Sequence, residues 1–451
     1  MAPPARFKTG GATVRRAVLP VRPDRVGSVG WALSGLSLSL LSLTALGGGL
    51  FALGGLPVPI ATLPALAALH LLTVGFLLPV ALSAMTQLSA ALFAATPDRT
   101  GGRLLPVVWA SGLGVAAGFL RPGPVLPIAG TALVAASLVT VASAARRALG
   151  APAASADLRL AMLGGLGGLL LTLLAGVVTA LAFTGAIPLP PPVGLHVALA
   201  ASAAYVPLLL AVSTQLFPMF ARCPPASTPT ARIGPVAASV AGAAILCLGA
   251  AARERAAVVA GVAVSACAVT VWLVLQERMY RRRHGESRDP AAWAARVSAA
   301  MLVLAAWLAL VHVAAGMGGA GWIPAAIVLA LAGGVGGSVV AYLRRILPFT
   351  VWNALHQRLG RGHALPTLDA LRPAVPLEVL PLLWAFGSAM AAWSLAAPAA
   401  GPMGRALDAH AFWPLGCAAL LAALELGWAP AAGARVFWRA RRAQDDNPRG
   451  R

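Results

Sequence analysis

Leu69–Phe93 reads LHLLTVGFLLPVALSAMTQLSAALF, and Leu195–Phe220 reads LHVALAASAAYVPLLLAVSTQLFPMF. Each run exceeds the roughly 20 apolar residues that a helix needs to cross a bilayer. Each opens on Leu-His and closes on Thr-Gln-Leu, at Thr86–Leu88 and Thr214–Leu216, with His-to-Gln spacings of 17 and 19 residues. A water-soluble helix with one solvated face would carry charge along such a length. These two carry none.

Scanning outward gives ten more such runs, twelve in all: about 30–53, 61–85, 103–120, 124–145, 160–186, 193–220, 233–251, 256–277, 293–316, 322–347, 376–397 and 406–429. Composition agrees. Of 451 residues, 59% are apolar and 10% charged, against roughly 45–50% and 25% in soluble domains. A large water-soluble globule is excluded, and so is a disordered chain. The expected fold is an all-α polytopic membrane protein.

The net charge of +21 could point to nucleic acid, but its distribution points to topology. With the N-terminus inside, the inner segments and helix ends hold 30 of the 34 bases, and the outer connections hold Arg121, Arg253, Arg255 and Arg405. The positive-inside rule predicts this asymmetry. Residues 1–29 and 430–451 then read as basic cytoplasmic tails around a membrane domain of 30–429. The implied location is a cytoplasmic (inner) membrane, crossed many times, with the lipid bilayer as partner and no nucleic acid.

The recurrence of the first motif four spans later argues for repeated units. RRILPF at Arg344–Phe349, near the end of span 10, aligns loosely with TQLFPM from Thr214. Three four-helix units follow, at about 30–150, 151–285 and 286–430. Gly114/Gly118, Gly164/Gly168 and Gly333/Gly337 are small-xxx-small pairs suited to close helix packing, and Pro79, Pro127 and Pro207 should kink their helices. Cys247, Cys267 and Cys417 fall in apolar runs and read as buried small hydrophobes.

Chemistry is sparse. No phosphate loop, HExxH or GxSxG pattern is present. His284, His356 and His363 lie in basic inner segments, whereas His70, His196, His312 and His410 fall within spans, all in the outer half. At 1.5 Å per residue His70 lies roughly 12 Å below the outer boundary and the other three roughly 5–6 Å. An ionisable group at such depth is a site hypothesis by default, and imidazole is a common ligand of copper and haem iron. Glu378 and Glu425 belong near the inner surface at the level of Arg344 and Arg345, where Glu–Arg pairing is the plain expectation; Gln87 and Gln215 can bond across helices.

Twelve spans in three units, with His toward the outer ends of spans 2 and 6, resemble subunit I of the haem-copper oxidase and nitric-oxide reductase superfamily. The runs HLLTVGFLLPVALSAMTQL, STQLFPMF and RRILPFTVW look like a bacterial group of oxidase-subunit-I-like membrane proteins. The resemblance implies that His70 matches the span-2 ligand of low-spin haem and that His196 falls in the region of the span-6 copper ligand. It also implies what is missing. Ala200 stands where some branches carry tyrosine, and spans 7 and 10 contain no histidine. A binuclear oxygen- or NO-reducing centre therefore has no ligands here. If haem b or copper binds, His70 and His196 are the metal ligands, with His312, His410 and Met317 as further outer-side candidates. The expected role is respiratory-complex biogenesis or metal handling, with respiratory or other membrane subunits as partners. A small-molecule permease is the alternative, weakened by the lack of acids near the midplane; a purely structural subunit is the third reading.

The charge count makes a topological prediction. Reporter fusions after Arg147, Arg283 and Arg361 should report cytoplasm, and fusions near Pro190 and Gly319 the outside. Reversal at two or more of these sites would remove the N-inside, twelve-span arrangement.

Overall fold

Peptide groups in hydrocarbon have no water to bond, so each long apolar run must satisfy its own backbone, and a helix does so. The computed structural model of the chain describes residues 29–53, 63–93, 99–121, 123–150, 156–226, 228–283, 289–316, 321–359, 365–373, 379–396 and 411–445; these contain twelve apolar helices and no strand. In chain order they are α1 (Val29–Leu53), α2 (Leu63–His70, Leu71–Leu77 and Leu78–Phe93), α3 (Arg99–Leu120), α4 (Val125–Gly150), α5 (Ala156–Phe183) and α6 (Val193–Ala198, Leu199–Ala204 and Tyr205–Phe220). There follow α7 (Pro229–Ala252), α8 (Arg255–Arg281), α9 (Pro290–Ala315), α10 (Trp322–Val328, Leu329–Gly336 and Gly337–Leu359), α11 (Leu380–Ala396) and α12 (Trp413–Asp445). Eleven are long and apolar enough to cross a membrane; α11 is shorter, with 17 described residues.

Neighbours in sequence are neighbours in space, and α1 packs along α12 to close the bundle. Local chemistry sets the ends. Thr228 and Asp289 cap α7 and α9 by accepting from Ala231 N and Ala291 N, each followed by a proline at the first helical position. Two helices run further than their apolar stretches. α10 continues from the expected end near 347 to Leu359, and α12 from 429 through Pro430 to Asp445. Hydrophobicity marks where a helix is in lipid, not where it stops.

Helices α2, α6 and α10 stand apart because each contains a π-helical stretch: Leu71–Leu77, Leu199–Ala204 and Leu329–Gly336. The cause is legible in two of them. Pro79 and Pro207 lack the N–H that would bond the carbonyls of Gly75 and Ala203, and their rings crowd those carbonyls. Both carbonyls belong to the π stretches. The third has no such proline but is rich in glycine, at Gly333, Gly334 and Gly336. Pro79 precedes Thr86 by seven residues, as Pro207 precedes Thr214. The two-residue difference between the repeated motifs therefore falls in and beside the π stretches.

These three helices meet one another. The Tyr205 hydroxyl of α6 donates to the Thr73 carbonyl of α2 at 2.7 Å. The Tyr342 hydroxyl of α10 donates to Ser213 Oγ of α6 at 2.8 Å. Leu72 of α2 packs against Gly336 of α10, completing the triangle. Burial agrees with a central place: 67% of the apolar window of α10 and 56% of that of α2 is buried, against 28% for α5 and α9.

The expected small-residue pairs lie at helix contacts. Gly114 and Gly118 face Ala129 and Leu126 of α4, Gly164 faces Val240 of α7, and Gly333 faces Met301 of α9. Of the cysteines expected to be buried, none is: Cys267 is exposed, and Cys247 and Cys417 are half-buried. In lipid an apolar side chain gains little by leaving the surface, so hydrophobicity does not predict burial.

Gly168 of α5 marks a demanding close approach, because a Cβ there would overlap the Ala203 carbonyl in the π stretch of α6. Gly167 beside it faces open space. Gly168→Val should lower stability against thermal unfolding in detergent by about 1–3 kcal/mol, and Gly167→Val should leave it near wild type. Equal melting of the two variants would show that this packing is unimportant.

Candidate functional site

His70 ends the first segment of α2, immediately before its π stretch, and His196 sits three residues before that of α6. The structure brings them together. Their ring centroids are 6.3 Å apart and the rings lie within 10° of parallel. Phe119 of α3 packs on His70 at 4.5 Å, and Phe183 of α5 stands 6.4 Å beyond it. His196 lies against α5, where Gly176 leaves room: a Cβ at that position would come within 3.1 Å of the His196 ring.

Both rings are oriented by main chain. His70 Nδ1 is 2.8 Å from the Leu66 carbonyl, one turn back, and His196 Nδ1 is 3.2 Å from the Thr172 carbonyl of α5. A carbonyl can only accept, so each Nδ1 carries the proton, and in the neutral ring Nε2 keeps its lone pair. Among the described residues neither Nε2 makes a hydrogen bond. Metal-binding histidines are commonly prepared in this way, with one ring N–H held by a carbonyl and the other nitrogen left as ligand. Two half-buried imidazoles beside an aromatic wall, paired with no carboxylate among the described residues, can hold one borderline or soft cation.

Of the other expected ligands, the described one does not join them. His312 is buried on α9, its ring 6.4 Å from Trp322 of α10, and its contacts lie there. His410 and Met317 lie outside the described residues, as do Glu378 and His284. No cluster of three or more His, Cys, Asp or Glu suited to a metal ion occurs among the described residues. The histidine pair would supply two ligands of a coordination sphere.

At the opposite end the expected Glu–Arg pairing is present. Arg344 Nε of α10 donates to Glu425 Oε1 of α12 at 2.7 Å, with side chains only 8% and 6% exposed. Beside it Arg345 pairs with Asp289 at 2.7 Å, and Arg296 of α9 pairs with Glu277 of α8. Sequence reading named Glu425, Arg344 and Arg345 but not Asp289, whose place beside α10 depends on how α9 enters the bundle. Nor did it name Tyr205, Tyr342 or Trp384, which bond across the central helices. The prolines four residues after Gly75 and Ala203 were the available signal for disturbed helix there.

Comparison with protein-family models and with curated proteins finds no match for this chain.

Proposed function

We propose that this is a multi-pass protein of a cytoplasmic membrane, built on three oxidase-subunit-I-like four-helix units with both ends inside. Its His70–His196 pair holds one metal ion, copper or haem iron, toward the outer face. The observation that carries the reading is the matched preparation of the two rings: nearly parallel, 6.3 Å apart, each with Nδ1 committed to a main-chain carbonyl. The two rings make no hydrogen bond to each other, and each would offer Nε2 to an ion. The three-unit reading is supported by the π stretches, which recur every fourth helix in α2, α6 and α10.

Structural metal sites close their coordination sphere with four protein ligands. A pair of imidazoles leaves the sphere open, so an ion held here can be passed to another ligand set. Metal handling, or delivery during assembly of respiratory complexes, suits such a site better than storage or catalysis. When bound, copper or haem iron would supply a redox-active centre. The chain's own residues hold and orient it and shield one side with Phe119. Reduction of oxygen or nitric oxide is not proposed, because α7 contains no histidine and α10 carries only His356, in its last turn and beyond the apolar span 322–347.

Metal and haem content of protein from cells supplied with both is the direct test. His70→Ala should abolish most of the bound metal or haem, His196→Ala should lower it several-fold, and His284→Ala, in the basic run 281–288 of the sequence, should match wild type. Wild-type protein without a Soret band and without stoichiometric copper would refute the site, and equal loss in all three variants would trace the effect to folding.

The same reading forecasts a negative result. Preparations free of genuine oxidase should consume neither oxygen nor nitric oxide when given electron donors, as followed with an electrode. Sustained turnover would overturn the inference from spans 7 and 10.

A further inference from the structure

The end of the bundle opposite the histidine pair holds a cleft of about 410 Å³. Asp289 at the start of α9, Arg344 and Arg345 of α10, Asp369 and Arg372 around a short 3₁₀ turn (Asp369–Leu371), and Glu425 of α12 bring charge to it. Leu347, Pro348, Leu426 and Ala429 make the rest of its wall apolar. A cleft with a charged rim and an apolar side is suited to a ligand of the same mixed character.

Its cations are not equally engaged. Arg344 and Arg345 each hold a carboxylate from another helix, Glu425 and Asp289. Arg372 pairs at 2.8 Å with Asp369 of its own turn, whose side chain is 85% exposed, and such exposed pairs are worth little. Arg372 Nε is buried and meets no acceptor among the described residues. Burial first, and then the charges of Arg345 and the exposed Arg222, act against its protonation and lower its pKa; Asp369 and Asp289 only partly oppose this. The cleft's three guanidiniums, Arg344, Arg345 and Arg372, meet three carboxylates, Glu425, Asp289 and Asp369, and Arg222, outside its lining, adds positive charge to the field at Arg372. A buried fork donor is left over. An oxyanion answers it, since guanidinium forks bind phosphate and carboxylate oxygens in pairs.

Position selects phosphate. Arg345 lies 23 residues along α10 from Trp322, roughly 34 Å at 1.5 Å per residue. The hydrocarbon core is about 30 Å thick, so the cleft stands at the level of lipid headgroups, and the positive-inside count assigns it to the cytoplasmic leaflet, where anionic lipids attract basic segments. We infer that the cleft binds a phosphate group, with Arg372 and Arg345 as its ligands. The group can come from the headgroup of an anionic phospholipid or from soluble phosphate.

The test uses the full-length protein in a neutral detergent, titrated separately with short-chain phosphatidylglycerol below its micelle concentration and with inorganic phosphate. Saturable binding of at least one probe is expected. Binding of inorganic phosphate would identify the phosphate alone as sufficient, and binding of phosphatidylglycerol alone would identify the lipid headgroup. Arg372→Gln should weaken it about tenfold or more, the scale of a lost charge-assisted bond. Arg372→Lys, which keeps charge without the fork, should fall between, and Arg435→Gln, at an exposed arginine of α12 outside the cleft, should bind as wild type. Arg345→Gln leaves Asp289 unpaired and is read only if its melting profile is native; Arg372→Gln breaks only an exposed pair and carries the test. The proposal fails if neither probe saturates, or if Arg372→Gln and Arg435→Gln weaken binding equally.

Discussion

A peptide carbonyl that loses its helical partner inside hydrocarbon must find another, and this requirement organises the centre of the molecule. Proline removes the usual donor in α2 and α6, and glycine loosens α10. The helices respond with π stretches, and the polar groups these loosen become points of attachment. Tyr205 donates to Thr73 in the first stretch and Trp384 of α11 donates to Ala332 in the third, both at 2.7 Å. Gly112 of α3 and Gly168 of α5 let neighbouring backbones close on the carbonyls of Val74 and Ala203. Association of helices in lipid cannot draw on the hydrophobic effect and rests on close packing and such hydrogen bonds. The bundle is therefore pinned where its central helices are least regular.

The number of apolar helices was legible because it depends on residue type alone. So was the Arg344–Glu425 pair, since two opposite charges at one depth of a bilayer have few alternatives to each other. The meeting of His70 with His196 was suggested by their matching places in a repeat. What stayed hidden depends on rotation about helix axes. Tyr205 and Thr73 are 132 residues apart, and Tyr342 and Ser213 are 129 apart; nothing in their own segments says that they face. His312 shared its expected depth with His196 but turned to Trp322 instead. Burial was hard to read for the same reason, because lipid-facing and buried positions use the same residues, as Cys267 shows.

The two ends of the bundle divide the polar chemistry between them. One holds imidazoles oriented by carbonyls and flanked by phenyl rings. The other holds guanidiniums and carboxylates in interhelical pairs that tie α8 to α9, α9 to α10 and α10 to α12. Buried ion pairs are weak contributors to stability when compared with apolar packing, yet breaking one partner is costly. They fix which helices adjoin at that end more than they strengthen it. The bis-imidazole site proposed above would need such a frame, because two ligands on different helices define an ion's position only if those helices are held in register.

Register is the point at which fold and site meet. Counting back from the shared Pro–Thr spacing, His196 is two residues further from its proline than His70 is. In uninterrupted α-helices two residues turn a side chain by about 200°, and the two rings could not occupy equivalent faces. The difference falls in segments already unwound, and both imidazoles come to one place with their Nδ1 atoms on carbonyls. A π stretch adds residues to a helix without ending it, and such insertions frequently accompany functional sites. Here the irregularity exposes the carbonyls that hold the central helices together, and His70 and His196 meet just before it on their two helices.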